Sequence, residues 1–190
     1  MSRWAWKAPL YSFVRTLPPF QNILEAEKKT LARLLALCAK PPGLHLDIGA
    51  GTGDSLALFH RSRQLICLDA SLAMLRRLHA SVPKLVANAE ALPCAEATFD
   101  FVSAIGVLEY VQEAARFFEE AHRVLQPQGY FLFTSAPRVP ANYFRTLWGE
   151  RLYLRSAVKV QAALSAQHWR LIAHERTFLQ EQWLVQRLAG

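Results

Sequence analysis

Hydrophobic runs long enough to cross a membrane are missing from this sequence, although 52% of its 190 residues are hydrophobic. No window approaches about 18 consecutive apolar residues, so we expect no transmembrane helix. Basic residues near the N-terminus are not followed by the apolar stretch of a signal peptide, so we expect no cleaved leader. These absences and the length of the chain predict a single cytoplasmic domain over residues 1–190.

Cysteine and closely spaced histidine are also scarce. The three cysteines, Cys38, Cys67 and Cys94, are too far apart in sequence for a zinc knuckle, and their odd number argues against a disulfide framework. None of the six histidines stands in an H-x-x-x-H pair. We therefore expect no metal site.

A glycine-rich turn follows the first apolar segment, and it is the most informative feature present. Residues 44–54 read as a strand that ends in Asp47, followed by Gly49, Gly51 and Gly53. Glycines can adopt positive φ and carry no Cβ, so a ligand can lie directly against the backbone amides of such a turn. A dinucleotide fingerprint would require glycine where Asp54 stands, so the turn alone does not identify the ligand.

A second acidic residue follows the next apolar segment. Residues 65–75 read as a strand that ends in Asp69, which lies 18 residues after Gly51. This spacing is close to the roughly 20 residues at which a ribose-binding carboxylate is expected. A carboxylate there can accept hydrogen bonds from both ribose hydroxyls. The two segments together predict a site for a nucleoside-containing ligand.

Five ordered motifs between residues 44 and 135 resemble those of class I S-adenosylmethionine (SAM) dependent methyltransferases, in the small-molecule branch similar to the enzymes of ubiquinone and menaquinone biosynthesis. The first two are the glycine-rich turn and the Asp-x-Ser-x-x-Met-Leu pattern from Asp69. The others are residues 88–93 (Asn-Ala-Glu-Ala-Leu-Pro), residues 98–110, and residues 121–130 with their Arg-x-Leu-x-Pro-x-Gly turn. The resemblance implies that SAM is the cofactor.

The resemblance also implies which residues bind SAM. The glycine-rich turn would hold the aminocarboxylate, with Asp47 facing the ammonium group, and Asp69 would bind the ribose. Asn88 would accept a hydrogen bond from the adenine amino group, where relatives usually carry aspartate. The cofactor-binding residues implied are Asp47, Gly49, Ala50, Gly51, Gly53, Asp69, Ala70, Met74, Asn88, Ala89, Glu90 and Ile105.

The catalytic candidates are Glu109 and Tyr110, which stand where relatives often carry histidine. Methyl transfer from a sulfonium mainly requires alignment of the nucleophile and exclusion of water, so a base is needed only if the acceptor must lose a proton. The alternative for Glu109 is that it caps the following helix or is solvated. A second departure from the family is Gln128, which replaces a turn glycine; this matters little if only Gly129 needs unusual dihedral angles.

Alternation of strands and helices predicts an α/β fold with a doubly wound, seven-stranded Rossmann-like sheet. The resemblance adds an antiparallel last strand. An Asn22-x-x-Glu25 capping box predicts the first helix over 23–38, with one apolar face. We expect strands near 44–48, 65–69, 84–87, 100–105, 129–134, 169–177 and 178–188, and helices near 53–60, 71–79, 113–125 and 157–167.

Positive charge is concentrated outside the cofactor motifs. Residues 41–137 have a net charge of −3, whereas residues 1–40 and 138–190 each have +5. The excess could belong to solvated helix faces or could attract an anionic substrate, membrane surface or nucleic acid.

We divide the domain into an N-terminal segment with the first helix (1–40), a core (41–135), a loop (136–155) and the closing elements (156–190). Aromatic residues accompany the positive charge in the N-terminal part and in the loop. We expect segment 1–20 to form a lid over the substrate, or to contact an anionic membrane surface as a peripheral protein. The loop 136–155, with Arg138 and Arg145, is predicted to wall the pocket of a small, largely apolar acceptor, such as a quinone precursor or lipid. A nucleic-acid (RNA) methyltransferase and a non-catalytic SAM-binding protein remain alternatives.

Overall fold

The computed structural model describes residues 18–79, 81–140, 142–143 and 151–189. Most of segment 1–20 and Arg145 lie outside these ranges. The helices among the described residues are α1 (Pro18–Ala36), α2 (Leu72–Leu75), α3 (Ala114–Val124) and α4 (Ala157–Ser165), with short 3-10 helices at Leu56–Phe59 and Leu108–Tyr110. The strands are β1 (Leu44–Ile48), β2 (Gln64–Asp69), β3 (Lys84–Val86), β4 (Phe99–Ala104), β5 (Leu125–Ser135), β6 (Trp169–Arg176) and β7 (Glu181–Arg187).

The strands form one seven-stranded sheet in the order β3-β2-β1-β4-β5-β7-β6. Pairing from β3 to β5 is parallel, and β7 runs antiparallel to both of its neighbours. The predicted α/β fold, with its doubly wound sheet and antiparallel last strand, is confirmed. The strand order reverses between β1 and β4, and in such sheets the ligand crevice lies at the carboxyl ends of the strands on either side of this point.

Apolar side chains cover both faces of the sheet. On one face Phe117 and Phe118 of α3 pack edge to face or tilted against Phe131 of β5, in a fully buried cluster. On the other face Leu31 and Leu34 of α1 belong to a second buried cluster, which includes residues of β4, β5 and β7. Burial on two faces explains why the central strands read as nearly continuous apolar runs.

Several predicted helix limits are wrong. Helix α1 begins at Pro18, so Asn22 and Glu25 lie inside it and do not form a capping box. Proline is tolerated in the first helical turn, where its missing N–H has no intrahelical acceptor. The helices predicted at 53–60 and 71–79 shrink to the 3-10 helix Leu56–Phe59 and to α2 (Leu72–Leu75).

The turn that precedes the buried part of β5 does not fit the expectation that only Gly129 needs unusual dihedral angles. Gln128, not Gly129, has a positive φ, of 66°. Gly129 is needed for space, because a Cβ there would lie 2.6 Å from Leu125 Cδ2 and 2.9 Å from the carbonyl oxygen of Gln126. The substitution of glycine by Gln128 therefore places a side chain in the left-handed region, which costs roughly 1 kcal/mol.

The described residues contain no helix that is both long and apolar enough to cross a membrane. The same residues bring no three His, Cys, Asp or Glu side chains together in a group that could hold a metal ion.

Candidate functional site

The glycine-rich turn lies at the carboxyl end of β1, beside the point where the strand order reverses. Gly49, Gly51 and Gly53 have φ values of 69°, 55° and 92°, so all three adopt the left-handed conformation that glycine permits. The N–H groups of Gly49 and Ala50 donate to the carbonyl of Leu68 at 2.6 and 3.0 Å, which ties the turn to β2. The turn is therefore held in a shape that only glycines adopt without strain.

Asp69 connects the end of β2 to this turn. Its Oδ2 accepts the N–H of Gly51 at 2.9 Å, and its Oδ1 accepts the N–H of Ser71 at 2.7 Å. Burial raises the pKa of Asp69, and the two backbone donors oppose that change. Each carboxylate oxygen keeps a further lone pair, so Asp69 can still accept from a diol.

Asp47 lies beneath the turn with only 1% of its surface exposed. Its Oδ1 accepts the hydroxyl of Ser103 at 2.5 Å, and its Oδ2 accepts the hydroxyl of Ser55 at 3.5 Å. Burial raises the pKa of Asp47 to about 7, although both serine hydroxyls oppose the change. A buried carboxyl with such a pKa is poised to ionise when a cation approaches.

Asn88 and Glu90 shape the loop after β3. Asn88 is exposed, and its Oδ1 accepts the N–H of Glu90 at 3.0 Å. Glu90 Oε1 accepts the N–H of Glu113, at the start of α3, at 2.7 Å. The structure therefore gives Glu90 a contact to α3 that the motif alone did not indicate.

The two catalytic candidates stand in the 3-10 helix after β4. Glu109 is 2% exposed, so the alternative that it is solvated is wrong. Its backbone oxygen accepts the N–H of Tyr153 at 2.7 Å, while the guanidinium of Arg155 donates to the carbonyls of Leu108 and Val111 at 2.7 Å. Burial lowers the pKa of Arg155, and the nearby Glu109 carboxylate opposes that change. Residues 153–155 thus fix the backbone around Glu109.

A family model described as "Methyltransferase domain" matches residues 46–133. The chain is 30% identical over 134 residues to a malonyl-[acyl-carrier protein] O-methyltransferase of Geobacter sulfurreducens, covering 64% of this chain and 50% of that protein. It is 32% identical over 135 residues to a demethylmenaquinone methyltransferase of Streptomyces avermitilis, covering 69% and 58%. These matches support the predicted resemblance to class I SAM-dependent methyltransferases, over a region that includes residues 46–133. SAM is the cofactor of this family, as the motifs predicted.

Solved structures agree with the fold of this chain. The magnesium protoporphyrin IX methyltransferase of Synechocystis, solved with bound S-adenosylhomocysteine (SAH), superposes with a TM-score of 0.71 at 15% identity, covering 90% of this chain and 88% of that one. A SAM-dependent methyltransferase of Mesorhizobium loti gives 0.71 at 19% identity, covering 84% and 96%. The chain spans about half the length of the first curated relatives that it matches.

The predicted cofactor residues all lie at one edge of the sheet. They stand at or just after the carboxyl ends of β1, β2, β3 and β4, where the fold places ligands. Met74 comes close to the turn, because its Cε lies 3.5 Å from where a Cβ of Gly51 would be. The role of each residue in binding SAM stays a prediction.

A cleft lined by cationic side chains was only partly predicted. It has a volume of about 430 Å³ and lies between residues 151–155, α3 and α4. Arg138 was expected in such a wall, but the contributions of Arg151, Arg155 and Lys159 were missed, although the net charge of +5 over 138–190 was a signal. Among the residues that the structure describes, no acidic side chain lines the cleft, and its apolar lining includes Ala114, Phe118, Val160 and Ala163.

Asn88→Asp should tighten SAM binding a few-fold. The only side-chain oxygen of Asn88 already accepts from Glu90, so a carboxylate would supply a second acceptor atom for the adenine amino group. Calorimetric titration with SAH would measure the change, with Asn88→Ala as the matched loss of the acceptor. A folded Asn88→Asp variant that no longer binds SAH would show that this residue does not face the adenine.

Proposed function

We propose that the protein transfers the methyl group of SAM to a small, largely apolar acceptor that carries an anionic group. The observation that carries this proposal is the cationic cleft, which combines four basic side chains with an apolar lining. Its walls include residues 153–155, which bind the backbone of Glu109 at the carboxyl edge of the sheet. The acceptor would therefore lie beside the edge at which the cofactor binds.

Relatives support both halves of this description. One is named for malonyl-[acyl-carrier protein], whose malonyl group carries a carboxyl group, and another is named for demethylmenaquinone, a largely apolar quinone. The proposal for this chain combines these properties and names neither compound as its acceptor. Peripheral contact with an anionic membrane, through the residues before 18, would bring a lipid-like acceptor to the cleft.

The transfer itself is a displacement at the methyl carbon. A lone pair of the acceptor forms the new bond to carbon, the carbon–sulfur bond breaks, and its electron pair stays on sulfur, which leaves as the thioether of SAH. An anionic oxygen needs no base, whereas a phenol or carbon acid must lose a proton. Glu109 and Tyr110 are the proposed bases in that case, because both lie in the turn between the cofactor edge and the cleft.

The cleft offers two side chains whose charge can be reversed without removing a backbone contact known to hold the fold. Lys159 is exposed near the start of α4, and Arg151 is exposed and lies 5.2 Å over the ring of Tyr153. Arg155 is unsuitable, because its guanidinium holds the carbonyls around Glu109. Arg138 is unsuitable for a similar reason, since its Nε donates to the backbone carbonyl of Leu154.

Reversing these two charges should raise the KM for an anionic acceptor about tenfold or more, because charge-assisted hydrogen bonds contribute about 1.5–3 kcal/mol each. The acceptor is first found by measuring SAH release with a panel of alkyl carboxylic acids, acyl thioesters, quinone precursors, phospholipid vesicles and RNA. Arg151→Glu/Lys159→Glu is then compared with the wild type at fixed SAM. The KM for SAM should stay unchanged.

Lys29→Glu is the matched control, because Lys29 is exposed on α1, whose buried face packs on the opposite side of the sheet from α3. It should leave both KM values unchanged. If RNA is the only acceptor of the panel that supports SAH release, the nucleic-acid alternative replaces this proposal. SAH binding without release on any acceptor would favour a non-catalytic SAM-binding protein.

A further inference from the structure

Beneath the glycine-rich turn, a buried chain of hydrogen bonds leads from Asp47 to the opposite end of β1. Ser103 Oγ lies 2.5 Å from Asp47 Oδ1 and 2.7 Å from His45 Nε2. His45 Nδ1 lies 3.1 Å from the hydroxyl of Ser62. Asp47, His45 and Ser103 are each at most 1% exposed. The chain therefore connects four side chains through an interior where unsatisfied polar groups are costly.

The strand register brings the side chains of this hydrogen-bond chain together. His45 and Asp47 are two residues apart in β1 and so point to the same face of the sheet. Ser103 of β4 is paired with Asp47 in the parallel register. Phe59 and Phe101 lie edge-on to the His45 ring, with centroids 4.5 and 4.9 Å away, and hold its orientation.

Each link in the chain can run in only one of two directions. If Asp47 is ionised, Ser103 must donate to it, His45 Nε2–H must donate to Ser103, and Ser62 must donate to His45 Nδ1. If Asp47 is protonated, it donates to Ser103, and every later bond reverses, with the other neutral tautomer of His45. Because Ser103 and neutral His45 can each donate and accept, both arrangements satisfy all three links.

We propose that Ser103 and His45 are positioning residues for SAM binding: they hold the Asp47 carboxyl and allow it to give up its proton when the cofactor's ammonium group arrives. One proton is released from Asp47 to bulk solvent, the hydrogen bonds reverse, and the ionised carboxylate pairs with the ammonium. This inference rests on the cofactor assignment and on Asp47 facing the ammonium, which is itself a proposal.

Few other groups around Asp47 are expected to titrate near neutral pH. Burial raises the pKa of the Cys67 thiol, on the neighbouring strand, to about 12, and burial lowers the pKa of His45 to about 3. Asp69 is the nearby carboxylate, and its charge disfavours ionisation of Asp47. Lys84 of β3 favours ionisation of the Cys67 thiol. Asp47 itself, with its pKa of about 7, is therefore the group expected to dominate.

The expected dependence on pH follows from this. The bound ammonium favours the carboxylate, so the pKa of Asp47 is lower in the complex than in the free protein. Below pH 7 a proton must then leave on binding, and SAH affinity should fall roughly tenfold for each pH unit. Calorimetry at pH 6 in buffers of different ionisation enthalpy should find about one proton released per SAH bound. Binding without proton release, and with flat affinity between pH 5.5 and 7, would overturn the inference.

Ser103→Ala tests the chain of hydrogen bonds without altering Asp69, because the side-chain hydrogen bonds of Ser103 are to Asp47 and His45. Loss of the hydroxyl donor should move the midpoint of the affinity-versus-pH curve upward by about one unit. His45→Leu should also move it upward, whereas His45→Gln, which keeps a donor toward Ser103, should stay near the wild type. An unmoved midpoint in folded Ser103→Ala would contradict the inference.

Ser135→Ala is the matched control for the loss of a buried strand hydroxyl, because Ser135 accepts from Trp183 Nε1 at 3.1 Å and lies outside the chain. It should lower stability and leave the midpoint unchanged. Failure of SAH to bind at any pH would count against the cofactor assignment itself. Binding that is independent of pH would count against the role of the chain alone.

Discussion

Asp69→Ala should lower SAM affinity by about two to four orders of magnitude. Asp69 would lose two charge-assisted hydrogen bonds to the ribose diol, each about 1.5–3 kcal/mol before compensation. The variant also loses the bonds from the N–H groups of Gly51 and Ser71, so the glycine-rich turn is held less firmly. Calorimetric titration with SAH measures the total effect.

Asp54→Ala is the control for removing one negative charge near this turn, because Asp54 is exposed and its Oδ1 accepts a long bond, of 3.4 Å, from the hydroxyl of Thr52. Its SAH affinity should stay within a few-fold of the wild type. Asp69→Asn tests the ribose bonds more finely, since the amide keeps one acceptor oxygen. Unchanged affinity in a folded Asp69→Ala variant would exclude Asp69 from the ribose site.

Gly49→Ala should destabilise the protein by about 2–5 kcal/mol and remove measurable SAH binding. A Cβ at Gly49 would overlap Cγ2 of Val107, and the φ of 69° is strained for alanine. Left-handed backbone costs alanine about 1–2 kcal/mol, and overpacking typically adds about 1–3 kcal/mol. Denaturant unfolding gives the stability loss, and calorimetry gives the loss of affinity.

Gly106→Ala separates the two causes. Gly106 has a similar φ of 71°, but no atom lies within 4 Å of a Cβ built there. The Gly106→Ala variant should therefore lose only the stability that backbone strain costs, about 1–2 kcal/mol. Gly49→Ala should cost less stability in a Val107→Ala background than in the wild type, because the overlap with Cγ2 of Val107 is then absent. Equal losses in Gly49→Ala and Gly106→Ala would show that contact with Val107 has no effect.

Much of the cofactor edge could be predicted from the sequence, because its signals are local. A strand that ends in an acid and a glycine turn needs only neighbouring residues to define it. The positions of Gly49 to Gly53 and the strand ends at Asp47 and Asp69 therefore matched the expectation. The strand limits were close for the same reason, since strands buried on two faces read as apolar runs.

Helix limits and the turn before the buried part of β5 were less predictable. Pro18 can begin a helix or end one, and its place in the first turn of α1 is not specified by the local sequence. Gln128 carries the positive φ, whereas Gly129 has no room for a Cβ, which would meet Leu125 Cδ2, the carbonyl oxygen of Gln126 and the carbonyl oxygen of Asp100. The contact with Asp100 comes from the neighbouring strand β4 and is invisible in the local sequence.

The amino-acid sequence by itself determined the fold class, the resemblance to SAM-dependent methyltransferases and the edge at which SAM is expected, because these follow from short motifs and their order. Tertiary structure alone decided which distant side chains meet. The parallel register of β1 and β4 places Ser103 between His45 and Asp47, and the packing of residues 151–155 on α3 and α4 gathers Arg138, Arg151, Arg155 and Lys159 around one cleft. Contacts between residues far apart in sequence depend on strand register and helix packing, which no local pattern specifies.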